Sequence, residues 1–279
     1  MTAPALLRIA LIGGGNMTRG LLGGLLRAGT VPASITVAAP SDTTRSALER
    51  DFGVNTTADN SLAVKAAEVV VLSVKPQIIG QVARALAPVL QARRPLVMSV
   101  AAGIRSADLS TWLPGLKVVR AMPNRPALVG AGATGLYADD SLGVADRALA
   151  ERALAGTGLA VWVARESDLE LVTALSGCGP AYFFRMAELM ANAATAMGLD
   201  PVVARQLAAQ TLAGAGQLVA METAPDLARM SAEVASKGGA TEAALNHFAA
   251  AGLYGLVADA MQAAARRSRE MADQFGNTQ

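Results

Sequence analysis

The chain has a single cysteine, Cys178, so no internal disulfide framework is possible, and such sparing use suits a reducing compartment. Its single histidine, His247, leaves no His/Cys cluster for zinc, and no spacing of carboxylates suggests a bound metal. Aromatic residues make up only 4% and charged residues 16%. With 24 Lys+Arg against 22 Asp+Glu, the net charge of +2 offers no strong field for nucleic acid. The one basic cluster, Arg266, Arg267 and Arg269, reads as a solvated helical turn. Residues 1–8 lack the basic segment and apolar stretch of a secretion signal. Residues 206–221 carry no charge, but they fall short of the ~18–20 apolar residues of a membrane span and include Gln206, Gln210 and Gln217. These absences predict a soluble, cytoplasmic protein with no nucleic-acid or membrane partner.

What is abundant is small and apolar. Hydrophobic residues reach 52%, enough for one large globular domain or two modest ones in 279 residues. Near the start, Ile9-Ala10-Leu11-Ile12 runs into Gly13-Gly14-Gly15-Asn16-Met17, an apolar strand ending in a glycine-rich turn. Glycines at 13 and 15 permit a tight bend and a close backbone approach to a pyrophosphate, and the following helix aims its free N–H groups at the anion. The third position of this dinucleotide pattern is Thr18, and a plain turn is the alternative. Apolar runs at 35–37, 69–74, 96–100, 118–122, 133–137 and 159–163 read as strands. Helical spacing at 17–28, 44–51, 78–90 and 141–155 alternates with them, which implies an α/β fold with a doubly wound parallel sheet covered on both faces.

Beyond residue 164 no strand is evident. Helices are expected over 167–175, 181–197, 201–221 and 241–271, giving a dinucleotide-binding domain at 1–164 and an all-α domain at 165–279. Small residues on several helix faces, among them Ala208, Ala209, Ala213, Gly214 and Gly216, suit close packing against a second copy, with a compact monomeric bundle as the alternative.

Three strand ends bear on the cofactor. The second strand ends at Val37-Ala38-Ala39-Pro40-Ser41 with no acid at its tip and with Thr43, Thr44 and Arg45 close behind, which favours NADP(H), while Asp42 leaves NAD(H) open. Val74-Lys75-Pro76 and Val100-Ala101-Ala102-Gly103 follow later strands on the ligand-binding edge. In the helical half, Ser236-Lys237-Gly238-Gly239-Ala240-Thr241 opens a helix with two glycines and a hydroxyl. It forms a second set of backbone donors suited to a small carboxylate, with a capped helix–helix turn as the alternative. Ser176-Gly177-Cys178-Gly179-Pro180-Ala181-Tyr182 is a further glycine-rich break whose glycines would allow close contact with a flat ring. No base stands near Cys178 in sequence, so it reads as a packing residue, as does His247.

Five segments taken in order resemble one family, pyrroline-5-carboxylate reductase: Ile12-Gly13-Gly14-Gly15-Asn16-Met17, Ser73-Val74-Lys75-Pro76-Gln77, Arg120-Ala121-Met122-Pro123-Asn124, the 176–182 stretch and the 236–241 stretch. The resemblance implies a Rossmann-like domain joined to a helical dimerisation domain, with a site formed between them and across a dimer. It implies cofactor contacts at Gly13, Gly15, Asn16, Met17, Asn60, Lys75, Pro76 and Ala102, with Ser41 and Val74 added from their strand-end positions. Substrate would meet Ser236, Gly238, Gly239, Ala240 and Thr241, and also Glu166. The chain departs from the family's usual residues at Thr18, Arg125, Cys178 and Lys237, and Arg125 and Lys237 add charge near the expected site.

The implied reaction is hydride transfer from NADPH or NADH to a five-membered cyclic imine bearing a carboxylate, with Thr241 hydrogen-bonded to the ring nitrogen. Two other functions remain open from sequence. A β-hydroxyacid dehydrogenase needs a catalytic lysine in the helical half, where only Lys237 stands; a non-catalytic NADP-binding scaffold would not need the second set of donors.

Overall fold

Ile9–Ile12 (β1), Val69–Leu72 (β4) and Leu96–Ser99 (β5) are buried at every position, a pattern that only a sheet covered on both faces satisfies. The computed structural model describes residues 6–276. It joins these strands with Ile35–Ala38 (β2), Asn55–Thr57 (β3), Val118–Met122 (β6), Gly132–Tyr137 (β7) and Gly158–Trp162 (β8) into one eight-stranded sheet of order β3-β2-β1-β4-β5-β6-β7-β8. The order reverses between β1 and β4, which opens a crevice at their carboxyl ends.

Alternate strand residues face opposite sides. Ile9, Leu11, Val69, Val71 and Met98 pack with Leu21, Leu22 and Leu25 of α1 (Asn16–Arg27), Leu48 of α2 (Asp42–Phe52) and Ala150 of α6 (Val144–Ala153). Ala10, Ile12, Val70, Leu72 and Val97 pack on the other side with Val64 of α3 (Asn60–Val64), Ile79 and Leu86 of α4 (Pro76–Arg93) and Trp112 of α5 (Ser106–Trp112). Both faces are thus sealed by helices, as the α/β pattern predicts. β3, α3 and α5 are too short to have stood out by periodicity.

The sheet is not wholly parallel, because β7 runs antiparallel to β6. Residues 123–131 connect them through a tight turn, Arg125–Val129, which is too short for the crossover that parallel pairing requires.

By packing, one compact unit runs to Cys178 and takes back the chain from Ala264, and the other is Gly179–Ala263. Local contacts tie the segment after residue 164 to the first unit. Helix α7 (Asp168–Val172) lies against β7, where a Cβ on Gly135 would stand 2.8 Å from the Val172 side chain and 3.1 Å from that of Leu169. The returning chain touches Gly103 through Ala272 and Phe275. After α7 the backbone widens into a π turn, Thr173–Gly177, in which the Cys178 N–H donates to the Thr173 carbonyl at 2.8 Å.

The second unit holds α8 (Gly179–Ala196), α9 (Pro201–Ala220), α10 (Leu227–Val234) and α11 (Ala240–Ala250), and α12 (Leu253–Gly276) straddles the division. Asp200 and Asp226 cap α9 and α10 by accepting two backbone N–H groups each. The single helix expected over 241–271 is two, broken at Gly252, which has φ +77°. Helix α10 was not expected. Within this unit only Gly179, Ala191 and Ala204 are buried.

Candidate active site

The glycine turn after β1 is built by two glycines and leaves the third open. Gly13 has φ +111°, and a Cβ there would stand 2.6 Å from the carbonyl oxygen of Ser73 at the end of β4. A Cβ on Gly14 would stand 2.6 Å from Cγ2 of Thr44. Gly15 has nothing within 4 Å of the same position. It is also the N-cap of α1, with no side chain capping the helix, so the first N–H groups of α1 face open space beside Asn16 and Met17.

Thr18 is completely buried. Its hydroxyl donates to the Gly13 carbonyl at 2.6 Å and lies 3.0 Å from the Ser73 hydroxyl, so it ties the glycine turn to the end of β4. A side chain where the pattern has glycine or alanine thus acts as a staple, a role that residue type alone did not suggest.

Because β1 to β6 run parallel, their carboxyl ends share one edge, and the expected cofactor residues gather there. Ser41 follows β2 and caps α2, accepting the Thr44 N–H at 3.4 Å. Asn60 begins α3 after β3, half-buried, with Asp59 as the cap. Val74 precedes Lys75, the exposed N-cap of α4, and Pro76 takes the first helical position, where its missing N–H costs nothing. Ala102 lies in the turn after β5. At the end of β2, Arg45 donates to the carbonyls of Ala39 at 2.6 Å and Pro40 at 2.9 Å and forms an ion pair with Asp42, so the one acid near the strand end is already engaged.

In the second unit, the 236–241 stretch forms a turn in which the Gly239 N–H donates to the Ser236 carbonyl at 2.9 Å and Gly238 has φ +73°. A Cβ on Gly239 would stand 2.9 Å from the backbone carbonyl oxygen of Ser236, which cannot swing aside, so any larger residue would shift the turn. Gly239 is the N-cap of α11 with no side chain capping the helix, which leaves the N–H groups of Ala240 and Thr241 open. The Thr241 hydroxyl is half-exposed and hydrogen-bonds nothing among the described residues. Glu242, which sequence reasoning passed over, reaches back so that its carboxylate accepts the Gly238 N–H at 2.7 Å. An acid three residues into a helix is the reach-back half of a capping box, and that signal was available in the sequence.

Glu166 lies in the first unit. Its Oε1 accepts the Ser106 N–H at 2.6 Å and an Arg120 guanidinium N–H at 2.9 Å, while Oε2 has no hydrogen bond among the described residues. Burial pushes its carboxyl up, but the Ser106 N–H and then Arg120 outweigh this and hold it below the usual carboxylate range. A small cavity of about 180 Å³ beside it is also lined by Arg105, Arg120 and Glu170. The arginine inside the apolar run of β6 was the sequence signal for this pair.

Asn124 bridges two segments, with Nδ2 donating to the Ser176 carbonyl and Oδ1 accepting the Ala133 N–H, each at 2.9 Å. The 176–182 stretch is less open to a ring than its glycines suggest, since a Cβ on Gly177 would meet Met122 Cε at 2.9 Å.

Two family models match the chain: residues 166–271 match pyrroline-5-carboxylate reductase dimerisation, and residues 8–103 match NADP oxidoreductase, coenzyme F420-dependent. The chain is 42% identical to the pyrroline-5-carboxylate reductase of Pseudomonas aeruginosa, covering 96% of this chain and 98% of that one. The solved pyrroline-5-carboxylate reductase of Coxiella burnetii superposes with a TM-score of 0.90 at 38% identity, over 96% of this chain and 99% of that one. The Plasmodium falciparum pyrroline carboxylate reductase, solved with NADP bound, superposes with a TM-score of 0.80 at 25% identity, over 95% and 98%. The chain therefore belongs to the pyrroline-5-carboxylate reductase family, NAD(P)H-dependent oxidoreductases that reduce 1-pyrroline-5-carboxylate to proline.

Proposed function

We propose that this chain binds NADPH in preference to NADH along the carboxyl edge of its sheet, with Gly13, Gly15, Asn16 and Met17 at the phosphates and Ser41, Asn60, Val74, Lys75, Pro76 and Ala102 along the rest of the molecule. We further propose that the turn from Gly238 to Thr241, with Ser236, binds the carboxylate of the cyclic imine. The observation that carries both assignments is a pair of α-helix N-termini, α1 and α11, each opened by glycine and neither capped by a side chain.

The cofactor, when bound, supplies a hydride to the imine carbon. The protein's part is to hold the acceptor in line and to stabilise charge. Backbone N–H groups of Ala240 and Thr241 take the carboxylate, and the Thr241 hydroxyl oxygen accepts from the ring N–H of the protonated imine. An imine that enters protonated needs no strong protein acid, in keeping with a turn that offers the Thr241 hydroxyl and backbone N–H groups rather than a histidine or a pair of carboxylates. Glu166 is proposed as a further substrate contact: Ser106 and Arg120 hold its Oε1, which leaves Oε2 for a ligand.

The preference for NADPH rests on Arg45 and Asp42. Their ion pair draws off the Asp42 carboxylate at the end of β2 and sets a guanidinium there, which suits a 2′-phosphate. Dimerisation through the second unit is proposed from its scarcity of buried residues.

The test follows nicotinamide absorbance with 1-pyrroline-5-carboxylate and either NADPH or NADH, in wild type and Thr241→Ala. Expected are a kcat/KM at least tenfold higher with NADPH and a roughly 10- to 100-fold loss in Thr241→Ala, the size of one lost hydrogen bond to a charged group. Unchanged turnover and unchanged imine affinity in Thr241→Ala would remove that residue from the mechanism. Turnover of a 2- or 3-hydroxy acid with no action on the imine would refute the substrate assignment.

A further inference from the structure

We propose that Arg125 is an additional cofactor-binding residue, its guanidinium holding the phosphate bridge of the dinucleotide at the start of α1. The inference rests on the cofactor site proposed above. Arg125 begins the Arg125–Val129 turn that follows β6, on the same edge of the sheet as the glycine turn. A cavity of about 150 Å³ lies between the two, lined by Asn16, Met17 and Gly20 of α1 and by Asn124, Arg125 and Leu128.

The backbone that carries Arg125 is held on both sides. Towards α1, Arg27 donates to the carbonyls of Ala127 at 3.2 Å and Leu128 at 3.3 Å, and a Cβ on Gly20 would stand 3.4 Å from the Leu128 nitrogen. On the other side the preceding residue, Asn124, is fixed to Ser176 of the π turn and to Ala133 of β7. The head of Arg125 is by contrast exposed, and it forms no ion pair or hydrogen bond among the described residues.

The cavity wall is almost wholly apolar, so the stem of Arg125 lines it, while the free guanidinium stands exposed beside it on the same edge of the sheet as the first residues of an uncapped helix. A partner within reach of both cationic features is a doubly charged pyrophosphate, which the planar fork of arginine can meet with two parallel N–H groups. Lys75, which forms no ion pair or hydrogen bond among the described residues, precedes α4 as its N-cap and does not line this cavity.

The experiment is a fluorescence titration of the full-length protein with NADPH, in the absence of imine, for wild type, Arg125→Thr, Arg125→Lys and Gly15→Val. The dissociation constant is expected to rise about 10-fold in Arg125→Thr and about threefold in Arg125→Lys, the loss of one charge-assisted hydrogen bond and of its bidentate form. The imine KM at saturating NADPH is expected to stay within twofold of wild type in both. An NADPH dissociation constant unchanged in both Arg125 variants overturns the inference, and so does a change confined to the imine KM, which would assign the guanidinium to the substrate carboxylate. If Gly15→Val loses NADPH while both Arg125 variants keep it, the inference fails and the cofactor site stands; if wild type binds no NADPH, or Gly15→Val binds it as wild type does, the site itself fails.

Discussion

Gly13 and Gly15 stand two residues apart in one turn, yet a methyl group added to each should act on different properties. At Gly13, φ +111° is a conformation that L residues rarely adopt, at a cost of about 1–3 kcal/mol. The new Cβ would also stand 2.6 Å from the Ser73 carbonyl oxygen and 2.9 Å from its carbon, both backbone atoms that cannot swing aside, adding about 1–3 kcal/mol of overpacking. Gly13→Ala should therefore lose about 3–4 kcal/mol, a fall of roughly 8–15 °C in melting temperature for a protein of this size. At Gly15, φ −79° suits any residue and the space is empty. Alanine there is a poorer N-cap than glycine by about 0.5 kcal/mol, and the restriction it places on the unfolded chain offsets this by about 0.4–1 kcal/mol. Its melting temperature should stay within about 2 °C of wild type while its NADPH dissociation constant rises about tenfold, because the methyl group occupies the side from which the phosphates approach. Differential scanning fluorimetry at one fixed protein concentration, followed by NADPH titration, measures both quantities. If Gly15→Ala melts as low as Gly13→Ala, or binds NADPH as tightly as wild type, the division of labour within the turn is wrong.

Thr18→Val preserves shape but strips a buried hydroxyl from Gly13 and Ser73; denaturant titration should show a loss of about 1–3 kcal/mol, and Thr18→Ser should restore most of it. Glu166→Gln should cost about 1–2 kcal/mol at pH 7, its pairing with Arg120 being only partly screened from water. The Glu166 carboxyl titrates lower in the folded protein than its ordinary value of 4.5, so its contribution is fully present above that pH and is lost as pH falls through the folded value. The stability gap between wild type and Glu166→Gln should accordingly narrow below about pH 4.5, and a gap that stays constant down to the acid transition would contradict the pairing. Glu242→Gln keeps an oxygen for the Gly238 N–H but removes a negative charge from beside the proposed carboxylate site. Steady-state kinetics should show an imine KM about three- to tenfold lower with kcat nearly unchanged, and a raised KM would count against that site.

The parts of this molecule that were legible in sequence are those in which one residue type answers one local requirement. Continuous apolar runs announced buried parallel strands, and β6 at Val118–Met122 has the bounds that its sequence suggests. Gly29 announced the end of α1: with φ +86° it donates its N–H to Leu26 while the Thr30 N–H donates to Leu25, closing the helix with a paired cap. The antiparallel turn to β7 was hidden, since direction depends on the length of a connection rather than on strand composition. Ser73 was hidden for another reason, as was the partner that Arg120 takes. Each acts on a residue that was identified, but the pairing is fixed by packing between elements, and in sequence Ser73 lies far from Gly13 and Arg120 far from Glu166. Glu242 differs, because it stands four residues from Gly238 and its signal was local.

The second unit sets a different limit, one that lies outside a single chain. A domain usually gains its stability by burying an apolar interior, yet Phe183 at 63%, Phe184 at 61%, Leu207 at 57% and Leu218 at 58% exposure stand on α8 and α9, whose only buried residues are Gly179, Ala191 and Ala204. Between these helices runs a groove of about 670 Å³ floored by alanines, Ala187, Ala191, Ala208 and Ala209 among them. Helices so rich in alanine have short side chains with which to cover one another, so two of them meet closely and leave the longer residues pointing outward. The outward residues are the ones that an interior needs, and the dimerisation proposed for this unit would have a second copy of the same face supply the missing half through two-fold self-complementarity. On that proposal the alanine-rich composition that reads as a weak core in one chain is the condition for a strong one in two, and helix periodicity, which found these elements, carries no information on what they enclose.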